Sequence, residues 1–230
     1  MKKKLLRACS ALCGAFVVLG IILNCVNYFG FSKSFYKKEY EKLGTAAEIG
    51  MNREDLQRAT DTLLDYLKDK RDDLFVQANI GGQEREVFNE RETLHMVDVK
   101  NLYLWAMRIG NGLLILAVLF YLWAFFSGQD KRAVLGGYLQ GNFILLGIIA
   151  VLGIYAAIDF NSFWTGFHHI FFTNDLWLLD PRTDILIQMV PEQFFFDLVM
   201  RIVVVSAGLI AALMGIAQMA KRRKKAEKAA

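Results

Sequence analysis

Apolar positions gather in four long runs, at residues 5–29, 102–126, 134–158 and 194–219, and charged or polar residues return between them. A helix needs about 20 mostly apolar residues to cross a bilayer, so each run predicts a transmembrane helix. The stretch between the first two runs opens with Tyr36, Tyr40 and mixed charges. Then Asn52-Arg53-Glu54-Asp55 offers a capping side chain followed by acids. With Leu56, Leu63, Leu64 and Leu67 at helical spacing, it predicts a helix to about Lys70. Residues 74–80 alternate weakly and Gly81-Gly82 marks a turn, so a short hairpin returning through Val87-Phe88 is expected. Asn89 with Glu92 three positions on reads as a capping box, opening a helix that runs through His95 and Asp98 into the second span.

The segment from Asp159 to Trp177 is different. Phe160, Phe163, Trp164, Phe167, Phe171, Phe172 and Trp177 alternate with Asn161, Ser162, Thr165, His168, His169, Thr173 and Asn174. It is too polar and too short to span, and is expected to lie in the membrane interface or to re-enter the outer leaflet. Asp180-Pro181-Arg182 reads as a turn, and Pro191-Glu192 suits the first turn of the last span. The expected fold is an all-α integral membrane protein with four transmembrane helices. It comprises an N-terminal helix (1–29), a small, mostly helical extracellular domain (30–101), the second and third helices with a short loop (102–158), the aromatic loop (159–193), and the fourth helix with a basic tail (194–230).

Charge sets the sidedness. Twelve basic residues flank the first span, the 127–133 loop and the end of the chain, against Asp130 and Glu227 alone. The 159–192 connection carries five acids and the single Arg182. Short loops rich in Lys and Arg stay inside, so both termini are expected in the cytoplasm and both long connections outside. The first run is longer than a signal-peptide core and lacks an A-x-A-like cleavage site. Neither Cys9, Cys13 nor Cys25 sits in a lipobox context, so the run is expected to remain as an anchor. A hydrophobic fraction of 55%, with charged residues still at 22%, places a sizeable polar part outside the bilayer. The basic tail is explained by anionic lipid and topology, so no nucleic-acid partner is expected.

All three histidines, His95, His168 and His169, fall on the expected outer side. Histidine is the side chain most readily used as acid and base near neutral pH. Asp98, three residues after His95 on one helix face, is placed to orient its imidazole. Arg108 and Arg201 lie within spans, and a charge there usually faces a protein-lined polar cavity rather than lipid. The bland alternative is snorkelling toward the interface. Cys25 is the one thiol near the outer end of its span, with no basic neighbour in sequence. A metal-binding protein using His95, Asp98, His168 and Asp175, or a transporter using Gln140 and Asn142, remains an alternative from another class.

Leu94-His95-Met96-Val97-Asp98-Val99-Lys100 resembles the H-M-x-D-V segment of the lipoprotein intramolecular transacylase family of low-GC Gram-positive bacteria. Phe167-His168-His169-Ile170-Phe171-Phe172, with Asn174, Trp177, Asp180-Pro181-Arg182-Thr183-Asp184 and Pro191-Glu192-Gln193-Phe194-Phe195, resembles its second outer loop. The His168-His169 doublet departs from the pattern, which assigns the family's histidine to His168. The resemblance implies an acyltransferase in the cell membrane. Its substrate is a diacylglyceryl lipoprotein, and it moves the sn-2 acyl chain onto the α-amino group of the N-terminal Cys without a cofactor or metal. For that chemistry a neutral imidazole suits the removal of the amine proton, so His168 is expected as general base and His95, oriented by Asp98, as acid or oxyanion stabiliser, or the reverse. Asn174, Arg108, Arg201 and Trp177 are the expected substrate-binding or oxyanion residues. An acyl-enzyme on Cys25 or Ser162 is the competing route.

Overall fold

Each apolar run becomes a helix longer than the bilayer requires. A computed structural model describes residues 2–226, so Glu227 and Lys228 of the basic tail lie outside the described residues. In chain order the elements are α1 (Lys3–Gly30), α2 (Lys33–Leu43), α3 (Thr45–Ile49), α4 (Arg53–Leu67), β1 (Gln77–Ile80), β2 (Gln83–Glu86), α5 (Glu90–Phe126), α6 (Lys131–Ile158), α7 (Phe160–Phe171), α8 (Ile185–Met189) and α9 (Glu192–Ala226). Among the described residues α1, α5, α6 and α9 are long and apolar enough to cross a membrane. The 37 residues of α5 measure about 55 Å, well beyond a hydrocarbon core of about 30 Å. Apart from Arg108 its charged residues stop at Lys100, so its first three turns are polar and the long apolar run follows them.

The chain divides into two compact units. One holds the chain up to Asn27, Met107–Tyr155, and everything from Met200 onward. Its interior is small: Val18, Tyr138, Leu139, Ile210, Met214 and Ala217 cluster together. Ile115, Leu119, Phe143, Val151 and Val204 are exposed, as side chains solvated by lipid should be. Helix packing here rests on close backbone approach and polar links rather than on apolar burial, since lipid tails are as apolar as Leu. Gly137 and Gly141, spaced G-x-x-x-G on α6, lie against Arg7 and Ala11 of α1, and a Cβ on Gly141 would stand 2.9 Å from the Ala11 carbonyl oxygen. Ser10 donates to the Val134 carbonyl at 2.7 Å, and the Tyr121 hydroxyl donates to the Ser10 carbonyl at 2.7 Å. Gly141→Leu therefore forces α1 and α6 apart. It is expected to cost about 1–3 kcal/mol of overpacking, read as a lowered thermal unfolding midpoint of the detergent-purified protein.

The second unit joins Tyr28–Ala106 with Ala156–Val199, so the two connections treated separately in the sequence fold together. Asn52 caps α4 by accepting from the Asp55 N–H at 2.7 Å. The expected hairpin forms as the antiparallel pair β1–β2. Gly81 and Gly82 both take positive φ, as a two-residue turn between right-twisted strands requires. Asp55 ties the hairpin to α4 by accepting from the Asn79 N–H at 3.1 Å. The stretch opening with Tyr36 is the helix α2. It buries Phe35, Tyr36 and Tyr40 around the ring of Phe194, the first two at 5.2 and 4.9 Å between centroids.

Candidate active site

Two ladders of polar contacts tie the 174–186 stretch to the first turns of α5. The Asn89–Glu92 box closes reciprocally: the Asn89 N–H donates to Glu92 Oε2 at 2.7 Å and the Glu92 N–H to Asn89 Oδ1 at 3.0 Å. Glu92 is almost fully buried, and its second oxygen accepts from the Leu186 N–H, pinning the start of α8. Asn89 Nδ2 donates to the buried Asp184 at 2.9 Å. Nearly two turns beyond Glu92, Asp98 Oδ2 accepts from Asn174 Nδ2 at 2.8 Å, and Arg91, in the first turn of α5, donates to the Asp175 carbonyl. These bonds seat residues 174–177, and with them Trp177, beside α7.

The segment expected to be an aromatic loop is the twelve-residue helix α7, capped where Asp159 accepts from the Ser162 N–H at 3.0 Å. Its rings stack along one side: Phe160 on Trp164 at 5.7 Å and Trp164 on Phe167 at 5.1 Å. His168 is on the buried side and His169 on the exposed side.

His95 and His168 come together with their ring centroids 6.1 Å apart, and only 7% and 8% of each residue is exposed. Phe172 closes the pair, at 5.3 Å from the ring of His95 and 5.6 Å from that of His168. Trp177 stacks on His168 at 4.7 Å and meets His169 edge-on at 5.1 Å. His168 Nδ1 lies 2.8 Å from the Trp164 carbonyl oxygen. A carbonyl only accepts, so Nδ1 carries the proton, and the neutral ring presents the lone pair on Nε2. Burial holds His168 below its ordinary value of 6.5, with His169 adding to the effect and the bond to Trp164 opposing it. Buried His95 Nδ1 and buried Trp177 Nε1 have no hydrogen-bond partner within the protein. Buried polar atoms are normally satisfied, so two orphans beside one histidine pair mark a place where a ligand completes the bonding.

The site residues expected from sequence therefore separate. His95, His168, Asn174, Trp177 and Asp98 assemble in one unit, but the carboxylate of Asp98 holds Asn174, and the Nδ1 of His95 is not hydrogen-bonded to it. Helical i,i+3 spacing brings side chains close without aiming them. Arg108 and Arg201 belong to the other unit, with exposed side chains. Asp197, the acid one turn before Arg201, accepts from Lys42 and from Gln193. Cys25 is a buried thiol, also of the other unit, and Ser162 is an exposed residue in the first turn of α7. Among the described residues no group of three metal-ligating side chains assembles, so His95, Asp98, His168 and Asp175 do not form the alternative metal site. Glu92 and Asn89 spell a helix cap in sequence; their second task, anchoring Leu186 and Asp184, depends on partners more than 90 residues away.

The sequence model of the lipoprotein intramolecular transacylase Lit family matches residues 11–195. No curated protein sequence matches the chain. Among solved structures, the chain is similar to the in meso structure of the membrane-integral lipoprotein intramolecular transacylase Lit from Bacillus cereus. The TM-score is 0.77 at 21% identity, over 96% of this chain and 98% of that one. A version of that structure with one histidine replaced by alanine gives a TM-score of 0.75 at 20% identity, over 97% of this chain and 95% of that one. At this identity the structural likeness establishes the fold.

Proposed function

The chain belongs to the lipoprotein intramolecular transacylase family and is an integral membrane acyltransferase; from that premise we propose which acyl group moves, where, and by which residues. The substrate is a diacylglyceryl lipoprotein with a free N-terminal Cys. The sn-2 acyl chain passes from its glyceryl oxygen to the α-amino nitrogen of that Cys, leaving a lyso-form lipoprotein. One C–N bond forms and one C–O bond breaks, so neither an oxidant nor a cofactor is needed. Nucleophile and ester belong to one molecule, and holding them in register supplies much of the acceleration.

The observation that carries this reading is the tautomer of His168. With Nδ1–H committed to the Trp164 carbonyl, Nε2 takes the proton of the α-amine as it attacks, and returns it to the departing glyceryl oxygen. His95 and Trp177 supply the donors for the tetrahedral oxyanion. Trp177 Nε1–H is a donor without a partner. With its proton on Nδ1, His95 offers a second such donor at its unpartnered ring nitrogen. Asp98 and Asn174 act by seating Trp177, as positioning residues. Arg108 and Arg201 are assigned to substrate binding on the sequence argument alone, since a guanidinium is costly within a span and both are exposed. The distribution of Lys and Arg favours cytoplasmic termini and an extracellular histidine unit, level with the ester and amine of a lipoprotein anchored in the outer leaflet.

Mass spectrometry of the N-terminal peptide of a reporter lipoprotein tests the reading, in a host lacking other N-acylating enzymes. Expression of the protein is expected to give a peptide with one N-linked and one O-linked acyl chain. An unchanged diacylglyceryl peptide, with the protein well expressed in the membrane, would overturn it.

A further inference from the structure

At the basic end of the spanning unit, α5, α6 and α9 enclose a cavity of about 690 Å³. Tyr121 and Phe125 of α5, Leu135 of α6 and Met219 of α9 give it an apolar body, and Lys131 and Arg223 stand on its wall. Its volume is within the range of small-molecule sites, about 300–1,000 Å³. Two features separate it from an ordinary gap between helices. Met219 and Ile216 are 59% exposed each, so the cavity borders side chains that face lipid. The cations are also available. Among the described residues neither Lys131 nor Arg223 is paired with a carboxylate, and Asp130, next to Lys131, is engaged by Lys3 at 3.1 Å and by the Arg132 and Ala133 N–H groups. The Lys131 ammonium lies 4.0 Å over the ring of Phe125. That contact holds the charge at the cavity wall without neutralising it.

We propose that this cavity is a binding site for an anionic phospholipid, whose acyl chain lies along Tyr121, Leu135 and Met219 and whose phosphate meets Lys131 and Arg223. Charge complementarity selects the occupant. A zwitterionic headgroup would bring its own cation toward two unneutralised cations, whereas a phosphatidylglycerol headgroup brings only the phosphate. Basic pockets between spans recognise anionic headgroups in this way, through charge-assisted bonds combined with the buried chain. The site is independent of the histidine pair and of the direction in which the helices cross.

Native mass spectrometry of the detergent-purified full-length protein tests it, with titration by dioleoyl phosphatidylglycerol and, separately, dioleoyl phosphatidylcholine. The wild type is expected to retain phosphatidylglycerol preferentially. Each cation is expected to contribute roughly fivefold, so Lys131→Gln combined with Arg223→Gln should weaken phosphatidylglycerol retention by about 30-fold and leave phosphatidylcholine unchanged. Met219→Trp, which narrows the apolar body and keeps both cations, should also release the lipid. Equal retention of the two lipids by the wild type would overturn the proposal, as would undiminished phosphatidylglycerol binding by the double variant. Displacement of the lipid by inorganic phosphate as readily as by fresh phosphatidylglycerol would reduce the site to an anion contact and overturn it too.

Discussion

Replacing His168 with alanine is expected to lower the rate of acyl transfer by about 10²–10⁴-fold, the usual worth of a positioned general base. The substrate amine has a pKa near 8, so at neutral pH most of it is protonated, and a base must accept the proton as the C–N bond forms. His168 suits the task because burial keeps its pKa below 6.5, so the ring is neutral across the neutral range. The wild-type rate should therefore climb with pH through the amine's titration near 8. It should fail on the acid side only below 6.5, where His168 becomes charged. Acidification below 6.5 also destabilises α7: with the folded pKa depressed, the unfolded chain binds the proton first, and stability rises with pH. In the alanine variant the residual rate should follow amine deprotonation alone, and added imidazole should restore part of it. A wild-type-like rate from His168→Ala, with Cys25→Ala inactive, would transfer the chemistry to an acyl-enzyme. The variant's thermal midpoint must be read alongside, since the imidazole packs against Trp164, Phe172 and Trp177.

The spans are legible in the sequence because a bilayer imposes a length on apolar runs that no local interaction disguises. The Asn52 and Asn89 caps are legible for a similar reason, since donor and acceptor lie three residues apart. What depends on distant partners is not. The buried face of α2, Phe35, Tyr36 and Tyr40, alternates with lysines and glutamates over three turns, and its partner Phe194 lies some 150 residues on. In α7 so many positions are aromatic that the helical period is masked, and the distinction between buried His168 and exposed His169 appears only once the helix is placed. Asp98 is the clearest case. Its neighbour in sequence is His95, but the atom that completes its carboxylate belongs to Asn174, 76 residues away. Spacing points Asp98 toward an imidazole, whereas in the fold its hydrogen bond goes to Asn174.

The second large effect is expected at His95, and it should differ in kind. His95→Phe keeps the ring volume beside His168 and Phe172 while removing both nitrogens, so it tests the donor and not the packing. Loss of one oxyanion donor is worth about 10²–10³-fold. The loss should appear in kcat with KM little changed, because the hydrogen bond strengthens as charge builds on the ester oxygen and is weak to the ground-state carbonyl. The residual activity should keep the wild-type pH profile, since His168 remains as base. Trp177→Phe retains the stack on His168 and removes only the Nε1 donor, so a smaller loss of the same kind is expected. If both donors serve one oxyanion, the double variant should lose less than the product of the single losses, as groups acting as a unit do. Multiplicative losses would separate the two residues. Imidazole rescue of His95→Ala, together with a pH profile of His95→Phe shifted to that of the free amine, would reverse the assignment and make His95 the base.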